Sequence, residues 1–155
     1  MREVGTKRIL AKILNFLERN GFRFNVEEFE DRLRLQKYIY LFKYCGLDPG
    51  YNFSFYLRGP YSSDLADDYY DPEMDRIRKE EDATVPESVV RLWENIKDKD
   101  NTWLEIAASL VMAVKEYGLR RDVAIRMVSK AKDMDASKVE SVFRDLEKFK
   151  LLPNN

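Results

Sequence analysis

A mainly α fold is expected from three observations. Apolar residues recur at helical spacing through most of the 155 residues, a single stretch alternates as a strand does, and one segment is apolar or aromatic nearly all round. The architecture these predict is a compact helical domain of about seven helices with one or two short β-strands and a helix-turn-helix-like C-terminal half. One domain spans 1–155, with lobes at 1–70 and 86–155 meeting through a charged connection at 71–85.

The elements follow in order. Residues 6–19 carry Ile9, Leu10, Ile13, Leu14 and Leu17 along one helical face, and Asn20-Gly21 stops the helix. Phe22-Arg23-Phe24 reads as a short extended piece. Asn25 followed by Glu28 resembles a capping box that opens a turn into a helix over 32–45. There Leu35, Tyr38, Ile39, Tyr40, Leu41, Phe42, Tyr44 and Cys45 cover nearly every side, as in a central helix packed on several faces. Residues 52–58 alternate, with Phe53, Phe55 and Leu57 expected inward, and Gly59-Pro60 is expected to end this strand. Ser62 or Ser63 then caps a short helix reaching about Tyr70. Residues 71–84 are charge-rich and read as an exposed connection.

The second half is more regular. Pro86 suits a first helical turn, and Val89, Leu92, Trp93 and Ile96 form an apolar stripe. Thr102 and Glu105 make a capping box for a core helix containing Leu104, Ala107, Ala108, Val111 and Val114. Residues 120–132 present Ala124, Met127, Val128 and Ala131 on one face. Asp135 caps a last helix striped by Val139, Val142, Phe143 and Leu146.

Composition removes whole classes of function. There is no histidine, which excludes Ser-His-Asp and Cys-His catalysis and every histidine-ligated metal. One cysteine, Cys45, excludes an internal disulfide framework and a cysteine-cluster zinc site. Gly-rich phosphate loops and nucleophile elbows are missing from the sequence, so a non-enzyme without cofactor or metal is expected. With 45% apolar and 35% charged residues the chain is neither disordered nor membrane-embedded in character. No basic-then-apolar leader opens it, so a cytoplasmic location is expected. A single glutamine among abundant charges points to an archaeal or thermophilic host.

Net charge is −1, unevenly spread. Residues 1–60 hold 11 basic and 7 acidic side chains, 61–105 hold 6 and 14, and 106–155 hold 10 and 7. A central acidic block between mildly basic ends argues against a protein that coats nucleic acid non-specifically. The acidic run from Asp64, Asp67 and Asp68 to Glu80, Glu81 and Asp82 lacks the glycine and glutamate offsets of a calcium loop, and reads as a solvated surface.

Two candidate surfaces remain. Arg58-Gly59-Pro60-Tyr61-Ser62-Ser63 is either a rigid corner or an anion-holding turn. Arg58, Tyr61 and Ser62, with Tyr69 and Tyr70 beside the acidic run, form the expected contact surface for a protein partner bearing a basic patch. The alternative is a DNA-binding transcriptional regulator in which Arg120, Arg121, Arg126 and Lys130 face phosphates. Its last helix mixes Glu140, Asp145 and Glu147 with Lys138, Arg144 and Lys148, a poor composition for lying against phosphates. The apolar helical faces also allow a homodimer.

Leu35-Gln36-Lys37 within the aromatic helix, followed by the aromatic strand and Gly59-Pro60-Tyr61-Ser62, resembles the YwgA family of uncharacterised bacterial and archaeal proteins. More distantly, the same arrangement is similar to the SocA-like (Panacea) antitoxin domains. The likeness is best over about residues 32–70 and weaker at Trp103–Ala108 and the closing helix pair. It implies a small helical adaptor or antitoxin-like module that acts through protein contacts and brings no catalytic residues.

Overall fold

The computed structural model describes residues 4–153. Among them are eight helices and one two-stranded antiparallel sheet, so the fold is mainly α. The helices are α1 (Val4–Arg19), α2 (Phe29–Lys43), α3 (Ser63–Tyr69), α4 (Met74–Glu80), α5 (Glu87–Ile96), α6 (Asn101–Lys115), α7 (Arg121–Lys132) and α8 (Ala136–Lys148); β1 is Ser54–Tyr56 and β2 is Gly59–Tyr61. They group into two compact units. The first comprises residues 1–53 and 62–97, the second 54–61 and 98–155. The divide therefore falls after residue 97 and around the hairpin, and the connection expected at 71–85 lies inside the first unit.

In the first unit α2 is buried without interruption from Leu35 to Phe42, as its all-round apolar character requires. The Tyr38 ring is the hub: Trp93, Phe22 and Phe42 lie 4.9, 5.3 and 6.5 Å away, centroid to centroid. Burial pushes its phenol above the usual value, against the lowering effect of Arg34. Trp93 satisfies its own indole N–H by donating to the carbonyl of Asn20 at 3.1 Å, so a large ring is buried with no unpaired polar atom. The α5 stripe Val89, Leu92, Trp93 and Ile96 is wholly buried. Each such side chain contributes about 1.5–3 kcal/mol.

Residues 71–84, expected as an exposed connection, hold α4 instead. Met74 and Ile77, three residues apart, are buried and bring this helix against α1. Polar bonds fix the pair: Arg78 donates from Nε to Asn15 Oδ1 at 2.8 Å, and Asn15 donates back to the Arg78 carbonyl at 3.0 Å. Two apolar residues among many charges suffice once a neighbouring helix supplies their cover.

The second unit is built on α6, α7 and α8, each packed on the other two, with β2 against α6. The hairpin corrects the sequence reading twice. The expected strand over 52–58 is only Ser54–Tyr56, and Gly59-Pro60 belongs to a second strand rather than ending the first. Tyr56 pairs with Gly59, so Leu57 and Arg58 form the two-residue turn and Leu57 is 88% exposed rather than inward. Gly59 has φ +90°, which few other residues tolerate. Asp100, not Thr102, caps α6 by accepting from the Trp103 amide at 2.8 Å. In α7 the buried face is Ala124, Ile125 and Val128, rotated from the expected Met127 and Ala131. Asp135 stands at the start of α8 as expected but makes no side-chain capping bond.

Candidate functional site

The corner between hairpin and α3 is a lock. Gln36, the one glutamine of the chain, is fully buried on α2. Its Nε2 donates to the Ser62 carbonyl and its Oε1 accepts the Ser62 amide, both at 2.9 Å. A side-chain amide thus pairs with one residue's backbone as a neighbouring strand would. The Ser62 hydroxyl accepts the Leu65 amide at 3.2 Å and caps α3, as the sequence indicated. Two of the amides at this corner, those of Ser62 and Leu65, are thus already bonded within the chain.

That geometry revises the expected contact surface. Ser62 is 1% exposed and Tyr69 6%, its ring lying 5.4 Å from Phe24 and 5.2 Å from Tyr70, so both are interior residues and not contact residues. Tyr61 is half-buried, edge-on to Tyr56 at 5.7 Å. Arg58 is exposed at the hairpin turn. Arg58 and Tyr61 belong to the second unit and Ser62, Tyr69 and Tyr70 to the first. Of the five, Tyr70 is the exposed aromatic.

Tyr70 does stand in a defined cluster, with residues that the sequence did not single out. The Arg32 guanidinium carbon lies 5.9 Å from the Tyr70 ring centre and 5.8 Å from that of Phe29. Arg32 is fixed by donating from Nη1 to the Val26 carbonyl at 2.6 Å. Phe29 is 50% exposed and Tyr70 55%, so two rings flank one held cation at the surface of the first unit. Exposed carboxylates bracket both rings in sequence: Glu27, Glu28 and Glu30 around Phe29, and Asp67 and Glu73 around Tyr70. A phenylalanine set in an acidic run was the available signal.

The four cations proposed to face DNA differ in their freedom. Arg121 is engaged: its Nη1 lies 3.2 Å from Glu140, its Nε 3.4 Å from Glu147, and its guanidinium sits 5.0 Å over the Phe143 ring. It tethers α7 to α8, with two carboxylates rather than a phosphate taking its donors. Arg120 is exposed, 3.5 Å from Asp122. Arg126 and Lys130 are exposed one helical turn apart. They line an open groove of about 720 Å³ together with Met127, Met134, Asp135 and Ala136. The Lys132 side chain is buried on α7, 3.8 Å from Glu105, and burial lowers its pKa below the usual 10.5 against the pull of Glu105.

The acidic run is distributed among structural partners. Asp68 is buried and accepts the Tyr51 hydroxyl at 2.7 Å, and Asp71 pairs with Lys7 at 2.7 Å. The Lys7 hydrogen bond holds the Asp71 carboxyl below its usual value. Among the described residues no three carboxylate or cysteine groups gather to hold a metal ion. Burial pushes the Cys45 thiol up, away from the reactive thiolate. No helix among the described residues is long and apolar enough to cross a membrane. No family model, curated protein or solved structure matches the chain.

Proposed function

We propose that this chain is a non-enzymatic regulatory module that docks a protein partner through the Phe29–Arg32–Tyr70 cluster of its first unit. The observation that carries the reading is the pair of half-exposed rings flanking a guanidinium held by the Val26 carbonyl. Tyrosine and arginine dominate interface hot spots, and a cluster held in place before binding loses little entropy on association. The flanking carboxylates favour a partner with basic residues around an apolar anchor, by steering its approach. The resemblance to the YwgA and SocA-like groups is in keeping with an adaptor or antitoxin-like role in the cytoplasm. The lack of histidine supports the non-enzymatic side of the proposal.

The test uses the full chain as bait in nuclease-treated native extract, compared with Phe29→Ala/Tyr70→Ala. Wild type retains a stoichiometric protein whose binding weakens with salt. The double variant loses about 2 kcal/mol or more of that affinity, at least about thirtyfold, with its melting temperature unchanged. Equal capture by a folded double variant would refute the proposal.

A further inference from the structure

Helix α8 follows α7 after only Asp133-Met134-Asp135, and both pack on α6. Asp133 turns the chain with φ +52°, a left-handed conformation that aspartate tolerates better than most residues. In a helix-turn-helix of this kind the second helix lies in the major groove and the first crosses the backbone. The sequence alone argued against α8 in that role because it carries three carboxylates.

The tertiary structure removes that objection. Glu140 and Glu147 both lie against Arg121, and Asp145 accepts the Trp103 indole N–H at 2.9 Å with Lys99 at 3.8 Å. Every carboxylate of α8 is thus engaged within the unit. The exposed positions are Ala136, Ser137, Lys138, Ser141, Arg144 and Lys148. At about 100° per residue, positions 137, 141, 144 and 148 fall within about 60° of one another, one narrow face of hydroxyls and cations. Arg144 keeps this outward position although it lies 3.6 Å from Glu140. On α7, Arg126 and Lys130 border the groove that also contains the first residue of α8.

We propose that the second unit binds duplex DNA through α8, whose face of Ser137, Ser141, Arg144 and Lys148 enters the major groove with the Arg144 and Lys148 cations on phosphates at its rim, and Arg126 and Lys130 on flanking phosphates. Hydroxyl and guanidinium groups hydrogen-bond both base edges and phosphate oxygens. The B-form major groove admits a helix, whereas the narrow major groove of A-form RNA does not. Asp133 and Asp135 are exposed at the turn and repel phosphate, so they hold the affinity down.

The experiment is fluorescence anisotropy of the full chain with a labelled mixed-sequence DNA duplex of about 20 base pairs, between about 50 and 200 mM salt. Contacts from Arg126, Lys130, Arg144 and Lys148 predict a log–log salt slope near −3.6, about a hundredfold weakening across that range. Arg144→Gln/Lys148→Gln lowers the slope by about 2, and so does Arg126→Gln/Lys130→Gln. Asp135→Asn tightens binding, and Lys115→Gln, an exposed cation on α6 outside the proposed face, leaves it unchanged. Melting temperatures by circular dichroism show that each variant is folded. No binding at the lowest salt, equal loss in Lys115→Gln, or tighter binding of an RNA duplex of the same sequence would each overturn the proposal.

Discussion

The two units tie down opposite charges around their candidate surfaces. The first holds 15 basic and 18 acidic side chains and ties three of its cations down, Lys7 to Asp71, Arg78 to Asn15 and Glu18, and Arg32 to the Val26 carbonyl. What it leaves exposed around Phe29 and Tyr70 is carboxylate. The second holds 12 basic and 10 acidic side chains and ties four of its acids down, Glu140 and Glu147 to Arg121, Asp145 to Trp103 and Glu105 to Lys132. Along α8 the exposed charges are Lys138, Arg144 and Lys148, whereas α7 exposes Arg126 and Lys130 together with Asp122. Net charges of −3 and +2 understate this contrast, because a charge paired inside contributes little to what a partner meets.

The largest way to break the first unit is at its lock. Gln36→Ala leaves the buried amide of Ser62 unpaired and opens a void, while the Ser62 carbonyl keeps the Ala66 amide at 3.2 Å; an orphaned group costs about 1–3 kcal/mol. We expect denaturant titration to show a loss of about 3 kcal/mol or more. Gln36→Leu, which fills the void and still orphans the Ser62 amide, recovers only part of it.

The contrast itself is tested by Arg121→Ala. This residue faces no duplex in our proposal, yet its loss frees Glu147 and leaves Glu140 to Arg144 alone, drawing that cation from the outward face of α8. Duplex affinity should fall about tenfold or more, with a stability loss of about 1–2 kcal/mol from the broken bridge and the exposed Phe143 ring. A folded Arg121→Ala that binds DNA as wild type does would show that pairing those acids is irrelevant to the surface.

The smallest effects are in the pH dependence of stability, one limb for each unit. Asp71 has a lowered carboxyl pKa in the folded state, so its contribution is present above 3.8 and is lost as the pH falls through the folded value; Lys7→Met flattens that acid limb. Lys132 has a lowered ammonium pKa in the folded state, so the fold is penalised while it is charged. Stability gains as pH rises through the lowered value towards 10.5, and Lys132→Met removes that alkaline gain. Thermal unfolding across pH reads both.

The elements written in local periodicity were legible. The stripes of α5 and α8, the surrounded helix α2 and the Ser62 cap needed only spacing and residue type. Helix α4 was hidden because its two apolar residues sit among charges that locally outvote them. Leu57 was read inward because alternation shows a strand and not where its turn falls. Of the contact surface, Tyr70 was visible, whereas Phe29 and Arg32, some 40 residues earlier, carried no sign of meeting it.

By itself, then, the sequence determined a mainly helical chain without histidine chemistry, since periodicity and composition are local properties. Which polar groups pair, and therefore which are left to face a partner, was decided by tertiary structure alone. Gln36 meets Ser62 across 26 residues and Arg121 meets Glu147 across another 26. The physical reason is that a side chain's partner is set by which helices pack together, and a charge held in such a pairing no longer advertises its sign at the surface.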